Sequence, residues 1–489
     1  MSGKNSEIFG SNDAEAAEGL GQRAASGGLT AVGFQGVRML LQFASLAVYA
    51  RLLLPEDFGI VVMATTVTAF VGMFSDLGLG AATIQRKTID QNLVSALWLT
   101  NCVLGLAVML ICFALAPAAA HIYDTPEVAA VVFASALAYP MTASAAQHQA
   151  LLARRMQWMQ LQSIPVIATF CGLCTGMVLA WQTDLGYWSL VIGNLVTPAI
   201  QCLFFWFSSP FRPTFVKNWD GVRSSISFGL YLTGFNFLTY FHRTLDNVLI
   251  GAYSNANAVG HYSRAYSVFM LPLTLVSGPV STAMIPAMSR AVDDKKLWSA
   301  LYLGAVSILT VISAPAALIL TFHAHGVVDI LYGPGWTRAA NILSLLGPAM
   351  LVHPLFASAQ WLFVSRGETK KMFWASVPAI GTFVISYIFG IADGAEGVAW
   401  MYAWSSFVVV PIWLVYAAYI AKLPIAQLGL AIGIPAAMAA IAFGAVELML
   451  ADVSWMYRIV LFGFAYAASI ASLLTASSTL REKIRLLAR

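Results

Sequence analysis

Phe228-Gly-Leu-Tyr-Leu-Thr-Gly-Phe-Asn-Phe-Leu-Thr-Tyr-Phe-His-Arg-Thr-Leu-Asp-Asn-Val-Leu-Ile-Gly251 is the stretch on which the reading of the whole chain turns. It is apolar and long enough to cross a hydrocarbon core ~30 Å thick, yet it carries Arg243 and Asp246. An ionisable side chain near the bilayer centre costs about 2.5–3.5 kcal/mol on insertion scales, so it turns toward a protein interior or a water-filled path. Thr233, Asn236, Tyr240, Arg243 and Asn247 recur at steps of three or four, which places them on one helical face. The apolar stretch that follows holds a further cation, Arg264. Two readings stand at this point. The stripe lines a polar cavity, or Arg243 and Asp246, three apart, neutralise each other as a structural pair, which does not account for Arg264.

Outward from this stretch the same pattern continues. Of 489 residues, 59% are hydrophobic and 10% charged, against about a quarter charged in a soluble domain. Apolar runs are read near 28–53, 58–83, 93–118, 128–152, 158–181, 185–207, 227–253, 258–289, 298–323, 338–365, 372–391, 396–420, 427–449 and 456–477. The expected fold is therefore all-α, a polytopic membrane protein of about 14 transmembrane helices, with no room for a soluble catalytic domain. The first 26 residues lack the apolar core of a cleavable signal peptide and are expected to be a disordered leader.

The basic residues give the orientation. Twenty of the 26 Lys and Arg fall in the leader, the even-numbered gaps and the tail, while Arg51, Arg338 and Arg458 alone fall in odd-numbered gaps. That bias predicts both termini in the cytoplasm. The remaining three, Arg38, Arg243 and Arg264, lie inside spans, so the net charge of +4 does not describe a nucleic-acid surface.

An internal repeat divides the chain. Arg86 is followed seven residues on by Leu93-Val-Ser-Ala-Leu-Trp98, and Arg290 by Leu297-Trp-Ser-Ala-Leu-Tyr302, an offset of 204. Six spans separate the copies, so both insert in one orientation, and such repeats commonly hold substrate between halves. The expected organisation is a leader at 1–26, a six-helix lobe at 27–207, a linker at 208–225, a second six-helix lobe at 226–420, and two extra helices with a basic tail at 421–489. The two lobes would be pseudo-symmetric around a central cavity, with spans one and seven facing each other. Span one carries a stripe that mirrors that of span seven: Gln35, Arg38, Gln42, Ser45 and Tyr49.

The motifs exclude several chemistries. No G-x-x-x-x-G-K-[ST] loop is present, which argues against ATP hydrolysis by this chain. Cys171 and Cys174 form a C-x-x-C within an apolar run and read as small hydrophobes, so neither metal nor cofactor is expected. External gaps are short, which weakens a membrane polymerase or transferase. Inserted guanidinium groups suit an anionic ligand, since their fork of donors matches phosphate. Arg38 sits about 15 Å above the cytoplasmic start of its helix, counted by helical rise; the alternative for it is a packing residue bonded to carbonyls. Gln35, Arg38, Gln42, Asn236, Arg243, Asn247 and Arg264 are thus the candidate substrate-binding residues. Asp246 is the candidate for ion coupling, because a buried carboxylate beside a movable cation can exchange partners. Asp76 reads as a brace for a glycine-broken helix. Gln147, His148 and Gln149, with His353 and Gln360, would bond either sugar hydroxyls or neighbouring helices. Pro272, Pro279 and Pro286 predict kinks in the eighth span.

Several segments resemble the polysaccharide transporter family, the Wzx-type lipid-linked oligosaccharide flippases of the multidrug/oligosaccharidyl-lipid/polysaccharide superfamily. They are Arg51-Leu-Leu-Leu-Pro-Glu-Asp-Phe-Gly59, Ser75-Asp-Leu-Gly-Leu-Gly80 through Gln85-Arg86, Phe228-Gly-Leu-Tyr231 through Gly251, Gly260-His-Tyr-Ser-Arg-Ala265, and Pro279 to Arg290. The first of these is most similar to exopolysaccharide and colanic-acid exporters. The resemblance implies two six-helix lobes plus two helices, a cationic cavity, and alternating access that moves undecaprenyl-diphosphate-linked repeats to the periplasmic face of the bacterial inner membrane. Implied partners are the lipid-linked anionic oligosaccharide, membrane lipids, and the polysaccharide polymerase and export machinery. The rival expectation is a cation-coupled multidrug efflux antiporter, which would need carboxylates in its cavity where this chain has Arg38 and Arg264.

Overall fold

The computed structural model describes residues 20–75, 78–86, 89–216, 218–219, 240 and 244–476. They are helical nearly throughout, with no strand among them. The chain divides into two compact units, Met1–Gly260 and His261–Arg489. Nine helical stretches among the described residues are long and apolar enough to cross a membrane, and the chain is an all-α polytopic membrane protein.

The first unit contains α1 (Leu20–Leu52), α2 (Pro55–Gly72), α3 (Leu79–Gln85), α4 (Gln91–Ile122), α5 (Glu127–Ala136), α6 (Ala138–Arg154), α7 (Trp158–Gln182), α8 (Tyr187–Ser208) and α9 (residues 244–253). Helix α1 starts earlier than the expected span at 28; Ala24 and Ala25, good helix formers, continue it back from the apolar run. Helix α2 begins where Pro55 presets the backbone and Asp57 Oδ2 accepts the Leu54 N–H at 2.9 Å. Asp90 caps α4, its Oδ1 accepting the Leu93 N–H at 2.7 Å. Tight contact between α7 and α8 depends on glycine: a Cβ on Gly193 would stand 2.8 Å from the Gly172 carbonyl oxygen.

Most of α10 (Ala256–Arg290) belongs to the second unit, with α11 (Lys295–Phe322), α12 (Ala324–Tyr332), α13 (Thr337–Leu346), α14 (His353–Val364), α15 (Thr369–Gly390), α16 (Gly394–Ile420), α17 (Ile425–Met449) and α18 (Trp455–Ala476). Asp294 Oδ1 accepts the N–H groups of Lys296 and Leu297, both at 3.0 Å, and so starts α11. The core of this unit gathers Trp298, Tyr302, Trp361, Phe363 and Trp413, all nearly inaccessible.

The expected spans coincide with helices, the seventh being described only at residue 240 and over 244–253. The structure departs from the sequence reading in how some spans are built. The span expected at 58–83 is not one helix: α2 stops at Gly72 and α3 starts at Leu79, after Gly78 with φ +71°. The fourth span tightens at Leu137, whose N–H bonds Ala134 at 3.1 Å, and the tenth passes through a 3₁₀ turn, Gly347–Leu351. Helix α12 occupies a gap read as a short loop.

Candidate functional site

The stripe on α1 splits into two halves with different surroundings. Ser45 and Tyr49 are buried, and the Tyr49 hydroxyl donates to the Leu173 carbonyl of α7 at 3.1 Å. Gln35 and Gln42 are exposed. Between them Arg38 is half-buried, and its Nε is enclosed with no hydrogen-bond partner among the described residues. A guanidinium N–H without a partner away from water is costly. In this half of the stripe, Arg38 Nε is a donor left unused among the described residues.

On the seventh span Asn236 and Arg243, like Thr233, lie outside the described residues, and so does the reading of Arg243 and Asp246 as a pair. Asp76 also lies outside them. Tyr240 donates its hydroxyl to the Thr66 carbonyl, so this member of the stripe ties the seventh span to α2. Asp246 is 2% exposed. Its Oδ1 accepts the Asn247 backbone N–H at 2.8 Å and the Asn247 side-chain amide at 3.3 Å. The Asn247 Oδ1 is enclosed without a partner among the described residues. Thr244, Leu245 and Val248 face a cavity of about 250 Å³ with Thr66, Phe70 and Tyr123.

In the second unit Arg264 is half-buried on α10. Its carbonyl accepts the Tyr332 hydroxyl at 3.0 Å. Burial holds the Tyr332 phenol up at about 12, against the opposing pull of the Arg264 charge, so the hydroxyl keeps its proton. The Tyr332 and Trp336 rings lie 5.2 Å apart, and His261 meets Trp336 edge-on at 5.4 Å. On the same helix Tyr266 contacts Tyr402, whose hydroxyl shares a 2.6 Å hydrogen bond with His353 Nδ1. Tyr332, Trp336, His261 and Tyr402 are buried and pack against neighbouring rings. His353 thus makes an interhelical bond, and Gln360 is exposed.

Other candidates serve the interior. Gln147 and His148 are fully buried; Gln147 Oε1 accepts the Thr83 hydroxyl at 2.7 Å, and the His148 ring meets that of Trp206 in a tilted contact at 4.5 Å. Asn101, absent from the sequence reading, is 1% exposed with neither amide atom bonded among the described residues. A lone Asn in an apolar span was the available signal. Among the described residues no cluster of three His, Cys, Asp or Glu could hold a metal ion. The segment Leu54-Pro-Glu-Asp-Phe-Gly59 does packing work: a Cβ on Gly59 would overlap the Ala256 carbonyl oxygen at 1.7 Å, and one on Gly260 that of Pro55 at 1.7 Å.

Residues 48–341, more than half of the chain, match the family model described as polysaccharide biosynthesis protein. The chain is 24% identical over 352 residues to the lipopolysaccharide biosynthesis protein WzxC of Escherichia coli (strain K12), covering 72% of this chain and 71% of that one. It is 24% identical over 364 residues to the succinoglycan biosynthesis transport protein ExoT of Rhizobium meliloti (strain 1021), covering 74% and 73%. Among solved structures, the lipid II flippase MurJ in its inward closed conformation superposes with a TM-score of 0.72 at 13% identity, over 91% of this chain and 99% of that one. An inward-facing multidrug resistance MATE family transporter gives 0.56 at 14% identity, over 79% and 94%. These two likenesses concern the fold.

Proposed function

Because the chain belongs to the polysaccharide biosynthesis protein family, we propose that it is a flippase that carries an anionic, lipid-linked saccharide repeat across the bacterial inner membrane by alternating access. The names of its relatives, one a succinoglycan transport protein, support that reading. The observation that carries it to particular residues is Arg38, a guanidinium in the expected first span whose enclosed Nε has no hydrogen-bond partner among the described residues, between exposed Gln35 and Gln42. A diphosphate would satisfy those donors, and the attraction strengthens where water is scarce.

Arg264, Arg243, Asn236 and Asn247 extend the set that would receive the diphosphate and its sugars. Asp246, removed from solvent yet held by the Asn247 amides, is the group for ion coupling. The excess of Lys and Arg in alternate gaps supports cytoplasmic termini. A polysaccharide polymerase and export machinery would take the product onward.

Arg38→Ala and Arg264→Ala should abolish surface polysaccharide while the protein inserts at normal levels, with lipid-linked repeats accumulating in the cytoplasmic leaflet. Normal polysaccharide in both variants would remove these residues from transport. Asp246→Asn should leave insertion intact and make uptake into vesicles insensitive to the imposed ion gradient. A cation efflux pump, the rival, needs carboxylates in its cavity, where this chain has Arg38 and Arg264. Unchanged drug susceptibility in a deletion strain is the expected result.

A further inference from the structure

Helices α15 and α16 form a hairpin whose ends pack differently. Beside its connecting turn the backbones touch: a Cβ on Gly390 would lie 2.6 Å from the Gly397 carbonyl oxygen. Buried Phe383 then meets Tyr402 at 5.7 Å. Toward the other end the two helices border a cleft of about 440 Å³, lined by Trp374, Ala375, Pro378, Ile412, Trp413 and Tyr416. Trp374 and Ile412 are each 65% exposed at its edge.

The charges at that end are placed with respect to the cleft. Lys370 and Lys371 come four residues before Trp374 and Ala375, one helical turn away on the same face. Both are exposed. Arg366 is engaged elsewhere, its guanidinium 4.2 Å from the Trp298 ring. Lys371 makes an exposed 3.1 Å pair with Glu368, worth little. Lys370 makes no ion pair among the described residues.

We propose that this hairpin holds a resident anionic phospholipid, with one acyl chain in the cleft and the phosphate on Lys370 and Lys371. A basic site beside an apolar gap between transmembrane helices is the arrangement that selects anionic headgroups. Charge decides between a lipid and a helix as the occupant: a phosphate carried on a hydrocarbon chain meets Lys370 and Lys371 and the apolar cleft at once. The lipid is a structural component, and the proposal does not depend on what the protein transports.

The test uses the full chain purified in detergent, titrated with phosphatidylglycerol or phosphatidylethanolamine of identical chains, and read by native mass spectrometry and thermal unfolding. Phosphatidylglycerol is expected to bind at least fivefold tighter and to raise the unfolding temperature by several degrees. Lys370→Gln with Lys371→Gln should erase that preference without changing the lipid-free unfolding temperature. Ala375→Trp, which fills the cleft, should weaken both lipids at least fivefold. Equal affinity for the two lipids, a preference retained by the double variant, or binding untouched by Ala375→Trp overturns the proposal. So does disulfide crosslinking of Trp374→Cys between two copies in vesicles, since it would place a second chain at the cleft.

Discussion

Asp90 and Asp294 stand 204 residues apart and start α4 and α11 in the same way: Asp90 accepts the Leu93 N–H at 2.7 Å and Asp294 the Leu297 N–H at 3.0 Å. The same offset relates Trp98, whose indole donates to the Ser144 carbonyl at 3.0 Å, to Tyr302, whose hydroxyl lies 3.4 Å from Ser358 Oγ. The offset is therefore kept in the two Asp caps, whereas the partners Ser144 and Ser358 stand 214 residues apart. Asp90→Ala and Asp294→Ala should each cost about 1 kcal/mol, seen as a lower apparent unfolding temperature, and Asn at either position should restore most of it.

Arg338 grips Glu396 through two parallel bonds, Nε to Oε1 at 2.7 Å and Nη2 to Oε2 at 2.9 Å. The pair joins α13 to α16 but is about one-third exposed on each side. Its coupling in a double-mutant cycle is expected to be about 1 kcal/mol and to weaken in high salt. Arg338→Lys should recover only part of this, because an ammonium cannot make the fork.

Arg154 closes the end of α3. Its Nη1 donates to the carbonyls of Thr83 at 3.1 Å and Ile84 at 3.3 Å, and also to that of Arg86. These are helix-end carbonyls that have no partner within the helix. Arg154→Ala should expose the segment around residue 86 to limited proteolysis and lower stability by about 1–2 kcal/mol. Unchanged cleavage would show that the clasp is not what orders it.

The two halves of the α1 stripe should separate genetically. Tyr49→Phe removes a bond to Leu173 and should cost about 1 kcal/mol of stability while leaving polysaccharide export near normal. Arg38→Lys should do the reverse, with a normal unfolding temperature and export reduced at least tenfold. If Tyr49→Phe alone stops export, the division of the stripe is mistaken.

Span positions were legible because length and hydropathy are local properties. The mid-span adjustments were not, since Leu137 is as apolar as its neighbours and nothing in the letters marks a change of helix type there. Helix α12 escaped because His325-Gly-Val-Val-Asp-Ile-Leu331 is too short to span and has mixed polarity. The α1 stripe was visible as a period, but which of its members meet α7 depends on packing against Leu173 and Gly176, more than 120 residues away. The bond between Arg338 and Glu396, 58 residues apart, is likewise a tertiary fact.

The tightened turns at Leu137 and Gly347–Leu351 have a mechanical consequence. A regular helix resists bending because every hydrogen bond along the inner curve must compress together, but a turn already closed by i to i+3 bonds can exchange them for ordinary ones with little change in number. The fourth and tenth spans are thus expected to be the places where each unit can change helical pitch at the smallest cost in hydrogen bonds.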